Sequence, residues 1–343
     1  MNAIQSQFVK GLLRGVPVRP RDEAEAFAPA NIALCKYWGK RDEALNLPRT
    51  DSLSVSLGEL GTRTRLRRTG KSGPDRVVLN GRAVDPESRF HRRIRAFLDL
   101  FRPFLGDAAE ALEVETFNTV PTAAGLASSA SGFAALTLAL DELGGWGLDR
   151  RRLSMLARLG SGSATRSLLP GFVLWQAGRR EDGTDSFAVP LPERWPGLRI
   201  GILEICGEPK AVGSREGMRR TVRTSRLYES WPRQVEEDLD EILRAIAERD
   251  FPRLGRAAER NALAMHATML AAWPPLLYFR PETLAALDRL HRARAEGAEI
   301  YATLDAGPNI KLLFTAEDEA EARRLFPEMT AVVAPFEAEA DQA

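Results

Sequence analysis

Apolar and polar positions alternate with period two over residues 52–57 (Ser52-Leu53-Ser54-Val55-Ser56-Leu57) and again over 62–69, where arginines occupy one face. Both stretches predict half-buried strands. Residues 76–84 read as a hairpin turning at Asn80-Gly81. Phe90, Ile94, Phe97, Leu98 and Phe101 recur at helical spacing and predict a helix within 87–105. A strand over 111–117 leads to a buried helix over 133–140, and a second helix is predicted over 149–159. The runs 171–175 and 186–190 read as strands joined by a polar turn.

Prolines 190, 192 and 196 mark a boundary. They divide an N-terminal domain, residues 26–193, from a C-terminal one, 194–343, with residues 1–25 as an extension. In that extension Ile4, Phe8, Leu12 and Leu13 allow one or two amphipathic turns, packed on the surface or partly disordered. The second half opens with a strand over 198–205. Helices follow from about residue 214, around Val235 to Ile246, over 254–270 and over 281–296. Strands over 299–304 and 309–314 and a helix over 317–326 complete it, before an acidic tail, 337–343, expected to be frayed. No internal repeat is present. Strands and helices mix without regular βαβ alternation, which predicts an α+β fold.

The 343 residues are 44% hydrophobic and 28% charged, with a net charge of +1. That balance is ordinary for a globular chain and gives no global pull toward nucleic acid or membrane. The Arg-rich run 63–68 lacks the interleaved aromatics of a nucleic-acid surface. No apolar run approaches the roughly 20 residues that cross a bilayer, and no signal-peptide core opens the chain, so a cytoplasmic location is expected. Two cysteines, Cys35 and Cys206, make neither a disulfide framework nor a metal site, and the three histidines are scattered. Lysine occurs only at positions 10, 36, 40, 71, 210 and 311, which draws attention to the segment holding two of them.

The chain is organised around Pro121-Thr-Ala-Ala-Gly125-Leu-Ala127-Ser128-Ser129-Ala-Ser131-Gly132, a small-residue loop between a strand and a helix N-terminus. The first helical turn has unpartnered N–H groups, its dipole favours anions, and Gly125 and Ala127 permit close approach. No Lys follows the final Gly, so this is not the common P-loop. From the loop alone a phosphate cradle and a tight, closely packed turn both remain open. Four further polar segments stand out: Lys36-Tyr37-Trp38-Gly39-Lys40, Gly160-Ser161-Gly162-Ser163-Ala164-Thr165-Arg166, Gly213-Ser214-Arg215, and Asp305-Ala306-Gly307-Pro308-Asn309. Each has a bland alternative. Lys36 and Lys40 can be surface lysines at a turn, and Arg166 a helix-start arginine paired with an acid. Arg215, Arg219 and Arg223 can be a solvated helix face, and Asp305 a turn cap. His266 reads as a packed helix histidine, not a base. Taken together the segments describe several anion-binding corners around one carboxylate, which suits phosphoryl transfer to a small anionic substrate.

In order, these segments resemble the motifs of the GHMP small-molecule kinase superfamily. The Lys36 to Asp42 stretch and Asp305-Ala306-Gly307-Pro308-Asn309 resemble its diphosphomevalonate decarboxylase branch, over about residues 26 to 315. The resemblance implies a two-domain fold with a ferredoxin-like C-terminal domain and a homodimer. It implies ATP, with Mg2+, as phosphoryl donor to the 3-hydroxyl of mevalonate 5-diphosphate, followed by loss of phosphate and carbon dioxide to give isopentenyl diphosphate. It implies roles as well. Asp305 would orient or deprotonate the hydroxyl, Lys36 would stabilise charge beside it, and Arg166 would hold the substrate carboxylate. Tyr37, Lys40, Ser161, Ser163, Ser214 and Arg215 would grip the 5-diphosphate, and Gly125, Ala127, Ser128 and Ser129 would contact ATP. Thr50-Asp51, Gly213 and Arg226 depart from the family pattern, and Asp51 adds negative charge near an anion site. The alternatives are the same chemistry on mevalonate 5-phosphate and a 3-kinase that does not decarboxylate.

Overall fold

A computed structural model describes residues 3–106, 108–119, 128–208 and 210–337. The spine of the N-terminal half is the long strand Ser52–Ser72. It pairs antiparallel with Glu23–Cys35, from Glu23 opposite Arg67 to Cys35 opposite Leu53. Its other edge is shared: residues 52–55 pair with Phe172–Trp175, and residues 62–72 with Glu110–Asn118. The two strands read separately in the sequence are therefore one. A register shift between Pro29 and Asn31 lets the ribbon bend without ending it. Arg76–Leu79, Arg82–Ala83 and Ala188–Pro190 complete a seven-stranded sheet. Asn80 and Gly81, both at positive φ, make the expected hairpin turn.

Ser128–Gly144 covers this sheet as a largely apolar helix. Asp149 caps Arg150–Gly160 by accepting from the Arg152 amide at 2.8 Å. The N-terminal extension is not loose. Ala3–Leu12 is a helix with Val9 buried, and Leu13 follows it into the core. The second half is a four-stranded antiparallel sheet in the order Tyr301–Leu304, Ile310–Thr315, Leu198–Leu203, Ala331–Val333, as in a ferredoxin-like layer. Helices Ser214–Thr224, Trp231–Glu248, Phe251–Leu270 and Pro281–Ala295 pack around it.

One apolar cluster crosses between the halves, joining Ile32, Leu34, Leu53 and Phe172 to Ile200, Trp231, Leu254 and Tyr301. The end of Glu23–Cys35 and the end of Tyr301–Leu304 are thereby fixed side by side. Thr303 Oγ1 donates to the Ala33 carbonyl at 3.3 Å across the junction. No described helix is long and apolar enough to cross a membrane. Residues 120–127, with Gly125 and Ala127, and the tail 338–343 lie outside the described residues.

Candidate active site

At this junction the two strand ends deliver one cation and one carboxylate to the same point. Lys36 Nζ donates to Asp305 Oδ1 at 3.0 Å and to the Ala33 carbonyl at 2.8 Å. The Lys36 amide donates to Asn261 Oδ1, whose own Nδ2 is tied to the buried Asp238. This chain of contacts fixes the lysine's backbone from the helix pair. Lys36 is 2% exposed along its side chain, while the Asp305 side chain is 33% exposed and is the part that faces solvent. Lys311 Nζ lies 3.9 Å from Asp305 Oδ2. Lys210 Nζ donates to the Ala306 carbonyl at 2.6 Å and to Ser214 Oγ at 2.9 Å.

Burial alone would raise the Asp305 pKa, but Lys36, Lys311 and Lys210 outweigh it and hold the carboxyl well below the usual carboxylate range. Burial lowers Lys36 and Lys311, with Asp305 opposing in each case. His266, stacked on Phe279 at 4.3 Å, donates from Nε2 to the Asp305 carbonyl at 3.0 Å. The acceptor is a carbonyl, so the proton sits on Nε2. Burial pushes this imidazole down to about 4, so it is neutral at pH 7 and anchors the Asp305 backbone.

The 3-10 helix Gly162–Leu168 brings Arg166 under the sheet. Asn31 fastens this segment, with Nδ2 donating to Ser167 Oγ at 2.7 Å. Arg166 is 2% exposed, donates from Nη1 to Ser52 Oγ, and has no partner for Nε among the described residues. Burial lowers it to about 10, which leaves it charged at neutral pH. Tyr37 packs edge-on against Trp175 at 4.8 Å, and its hydroxyl is also unpartnered. A Cβ at Gly162 would come 2.9 Å from that hydroxyl, so glycine is what admits the ring. Gly39 serves similarly: at φ +110, it lets the Tyr228 hydroxyl pass close enough to donate to the Trp38 carbonyl at 3.1 Å. Two neighbouring buried polar groups thus lack partners among the described residues, the state expected where a polar ligand completes the set.

A row of hydroxyls runs beside them. Ser129 Oγ is 3.5 Å from Ser161 Oγ, and Ser161 Oγ is 3.2 Å from Ser163 Oγ. It links the N-terminus of Ser128–Gly144 to the Arg166 segment. Lys40 Nζ is held by Asn46 Oδ1 at 2.7 Å and Glu43 at 3.0 Å. Arg215, beside Ser214, lines a cavity with Arg93 and Asn46. Among the described residues, no group of three or more His, Cys, Asp or Glu is placed to hold a metal ion.

The structure joins Lys36 to Asp305 and Ser129 to Ser161 and Ser163. It places Arg166 near enough to feel Asp305, without a bond between them. The Asp51 charge faces the protein on one side: Oδ1 accepts from the Ala177 amide at 2.6 Å. Lys210, Lys311 and Ser52 were missed in the sequence. For Lys311 a signal existed, a lone lysine inside the apolar strand Ile310-Lys311-Leu312-Leu313-Phe314, where only a paired or functional charge is tolerated. Ser52 gave none, because its partner is remote in sequence.

Residues 28–188 match the model of a diphosphomevalonate decarboxylase-like N-terminal domain, and residues 201–341 that of a mevalonate 5-diphosphate decarboxylase C-terminal domain. The diphosphomevalonate decarboxylase mvd1 of Aspergillus fumigatus is 40% identical over 312 residues, covering 86% of this chain and 77% of that relative. The human diphosphomevalonate decarboxylase is 39% identical over 317 residues, covering 88% and 78%. Among solved structures, MDDEF in complex with MVAPP, AMPPCP and magnesium superposes with a TM-score of 0.84 at 39% identity, covering 92% of this chain and 97% of that one. Mevalonate diphosphate decarboxylase from Staphylococcus aureus gives a TM-score of 0.83 at 38% identity, covering 91% and 94%. The chain belongs to the diphosphomevalonate decarboxylase family.

Proposed function

We propose that this chain converts mevalonate 5-diphosphate and ATP to isopentenyl diphosphate, ADP, phosphate and carbon dioxide. The observation that carries the reading is the partly open Asp305 carboxylate, ionised among Lys36, Lys210 and Lys311, with the unfilled donors of Arg166 and Tyr37 in the same cleft. A carboxylate held this acidic is a poor base, so Asp305 acts chiefly by aligning the 3-hydroxyl and receiving its proton as the phosphoryl group transfers. Lys36 is placed to neutralise charge on the group in flight. The 3-phosphate then leaves with its C–O electron pair. The carboxylate C–C pair closes the new double bond, and carbon dioxide departs. Arg166 holds that carboxylate until the bond breaks, and the buried surroundings exclude water from the developing cation.

Tyr37, Lys40, Ser161, Ser163, Ser214 and Arg215 are assigned to the 5-diphosphate, and Gly125, Ala127, Ser128 and Ser129 to the phosphates of ATP, which enters with magnesium as co-substrate. The hydroxyl row from Ser129 to Ser163 supports placing the two phosphate groups on adjoining walls. The division into an extension, 1–25, and domains 26–193 and 194–343 is proposed on the two sheets and the proline-rich stretch between them. A homodimer is proposed from the resemblance, to be checked by sedimentation. A cytoplasmic setting suits the two free thiols. The test of function measures carbon dioxide and ADP in one assay, with mevalonate 5-diphosphate and 5-phosphate in parallel. Equal amounts on the diphosphate are expected. Products from the monophosphate alone would move the substrate, and ADP without carbon dioxide would make the chain a 3-kinase.

A further inference from the structure

The cavity below the N-terminal helix holds more positive charge than the roles above require. It is about 160 Å³ in volume, and its polar wall is Gln5, Glu43, Asn46, Arg93 and Arg215, with Gly160 at the base. Arg93 comes from the helix Arg89–Leu98, a stripe read in the sequence only as core packing. Its guanidinium lies over the Phe133 ring at 5.1 Å, and Nη2 donates to the Gly160 carbonyl at 3.3 Å. Among the described residues it has no carboxylate partner. Burial pushes it down to about 10, and the charges that act on it are the cations Arg215 and Arg89. Lys40 in turn feels both Arg215 and Arg93. The one carboxylate on the wall, Glu43, is already held by Lys40 at 3.0 Å. Like charges gathered this way repel unless an anion joins them. Gly160 leads directly to Ser161 and Ser163, and Arg215 follows Ser214, so the cavity adjoins the 5-diphosphate corner.

One wall residue, Gln5, comes from outside the family match, which begins at residue 28. The helix Ala3–Leu12 is anchored by buried Val9 and by Phe8, whose ring lies 5.3 Å from the Arg158 guanidinium. Gln5 Nε2 donates to the Ala44 carbonyl at 2.7 Å, which fastens the helix to the loop that carries Lys40, Glu43 and Asn46.

We propose that Arg93 is a specificity-determining residue that binds the terminal phosphate of the substrate's 5-diphosphate, in a subsite that the N-terminal helix closes through Gln5. The proposal rests on the substrate reading above. It explains how the chain distinguishes a diphosphate from a monophosphate, since only the second phosphate reaches between Arg93 and Arg215. Bidentate guanidinium contacts are well suited to that task.

The test titrates inorganic diphosphate calorimetrically into the full chain and into Arg93→Met, Arg93→Lys and Gln5→Glu. It also measures KM for mevalonate 5-diphosphate and for ATP. Arg93→Met is expected to weaken diphosphate about tenfold and to raise the substrate KM by a similar factor. ATP KM should stay fixed and kcat within about twofold. Arg93→Lys should recover most of the loss, and Gln5→Glu should weaken diphosphate several-fold. Diphosphate affinity unchanged in both Arg93→Met and Gln5→Glu would overturn the proposal, as would Arg93→Lys behaving like Arg93→Met. The binding readout needs no turnover. A chain that makes no carbon dioxide yet loses diphosphate binding in Arg93→Met would refute the activity and keep the subsite.

Discussion

Arg158 and Arg166 are both buried, both from the stretch that follows Asp149, and neither has a carboxylate within ion-pair distance among the described residues. Their uses differ. Arg158 donates to the carbonyls of Leu45, Gly183 and Ser186, and so staples two loops to one helix. Burial pushes it down to about 9. Among the described residues Arg166 makes one hydrogen bond, to a serine hydroxyl, and keeps donors in reserve near Asp305. Each guanidinium has a nitrogen without a partner among the described residues, so an orphaned atom alone does not separate them. What separates them is the neighbourhood. Carbonyls and the Phe8 ring surround Arg158, and Tyr37 acts on both arginines, but the Asp305 field lies beside Arg166 alone. A buried arginine whose bonds go to backbone carbonyls holds the fold. One with donors left over among the described residues is the one the proposed function assigns to an anion.

The contrast is broken most severely by Arg166→Gln. Carbon dioxide release should fall about 10²- to 10³-fold, as for loss of one preorganised donor to developing charge, with the melting temperature nearly unchanged. A large drop in melting temperature with kcat retained would place Arg166 in the same class as Arg158. The mirror experiment is Arg158→Gln. Stranding three carbonyls should cost about 2–4 kcal/mol, seen by denaturant unfolding, with kcat of the folded enzyme close to wild type.

His266 extends the contrast to a neutral group. Its folded pKa, about 4, lies below the ordinary value of 6.5, so the unfolded chain binds the proton first as pH falls. Stability from this site is full above about 6.5 and is lost as pH falls from there to about 4, at up to about 1.4 kcal/mol per pH unit. Unfolding measured across that window should slope accordingly, and His266→Asn should flatten the slope. The smallest effect is expected from Lys40→Ala. With Glu43 and Asn46 as its present partners, removal should raise the substrate KM about tenfold and spare kcat. A fall in kcat alone would give Lys40 a different role.

Legibility in the sequence followed the distance over which each interaction acts. The Asn80-Gly81 hairpin and the capped helix after Asp149 were readable because turn and cap chemistry is local. The long strand Ser52–Ser72 read as two, because pairing with Glu23–Cys35 carries it through residues that look like a break. The motif residues Lys36, Arg166 and Asp305 were readable as types, but only the family resemblance, not their spacing, implied their meeting. It depends on a core cluster joining Ile32 to Leu254, and no spacing encodes that. Lys210 and Lys311 became members of the site only when the second sheet set them around Asp305. Arg93 lay hidden in a helical stripe whose apolar members explained it away.

The account turns on Asp305 acting in the transition state while contributing little to substrate binding. The most direct measurement is turnover of Asp305→Asn, alongside its affinity for mevalonate 5-diphosphate and ATP by calorimetry. The account predicts a loss of turnover of about 10²-fold or more, with both affinities within about tenfold of wild type. Turnover that survives, or binding that collapses in step with it, would contradict the account and make Asp305 the anchor of the three lysines instead.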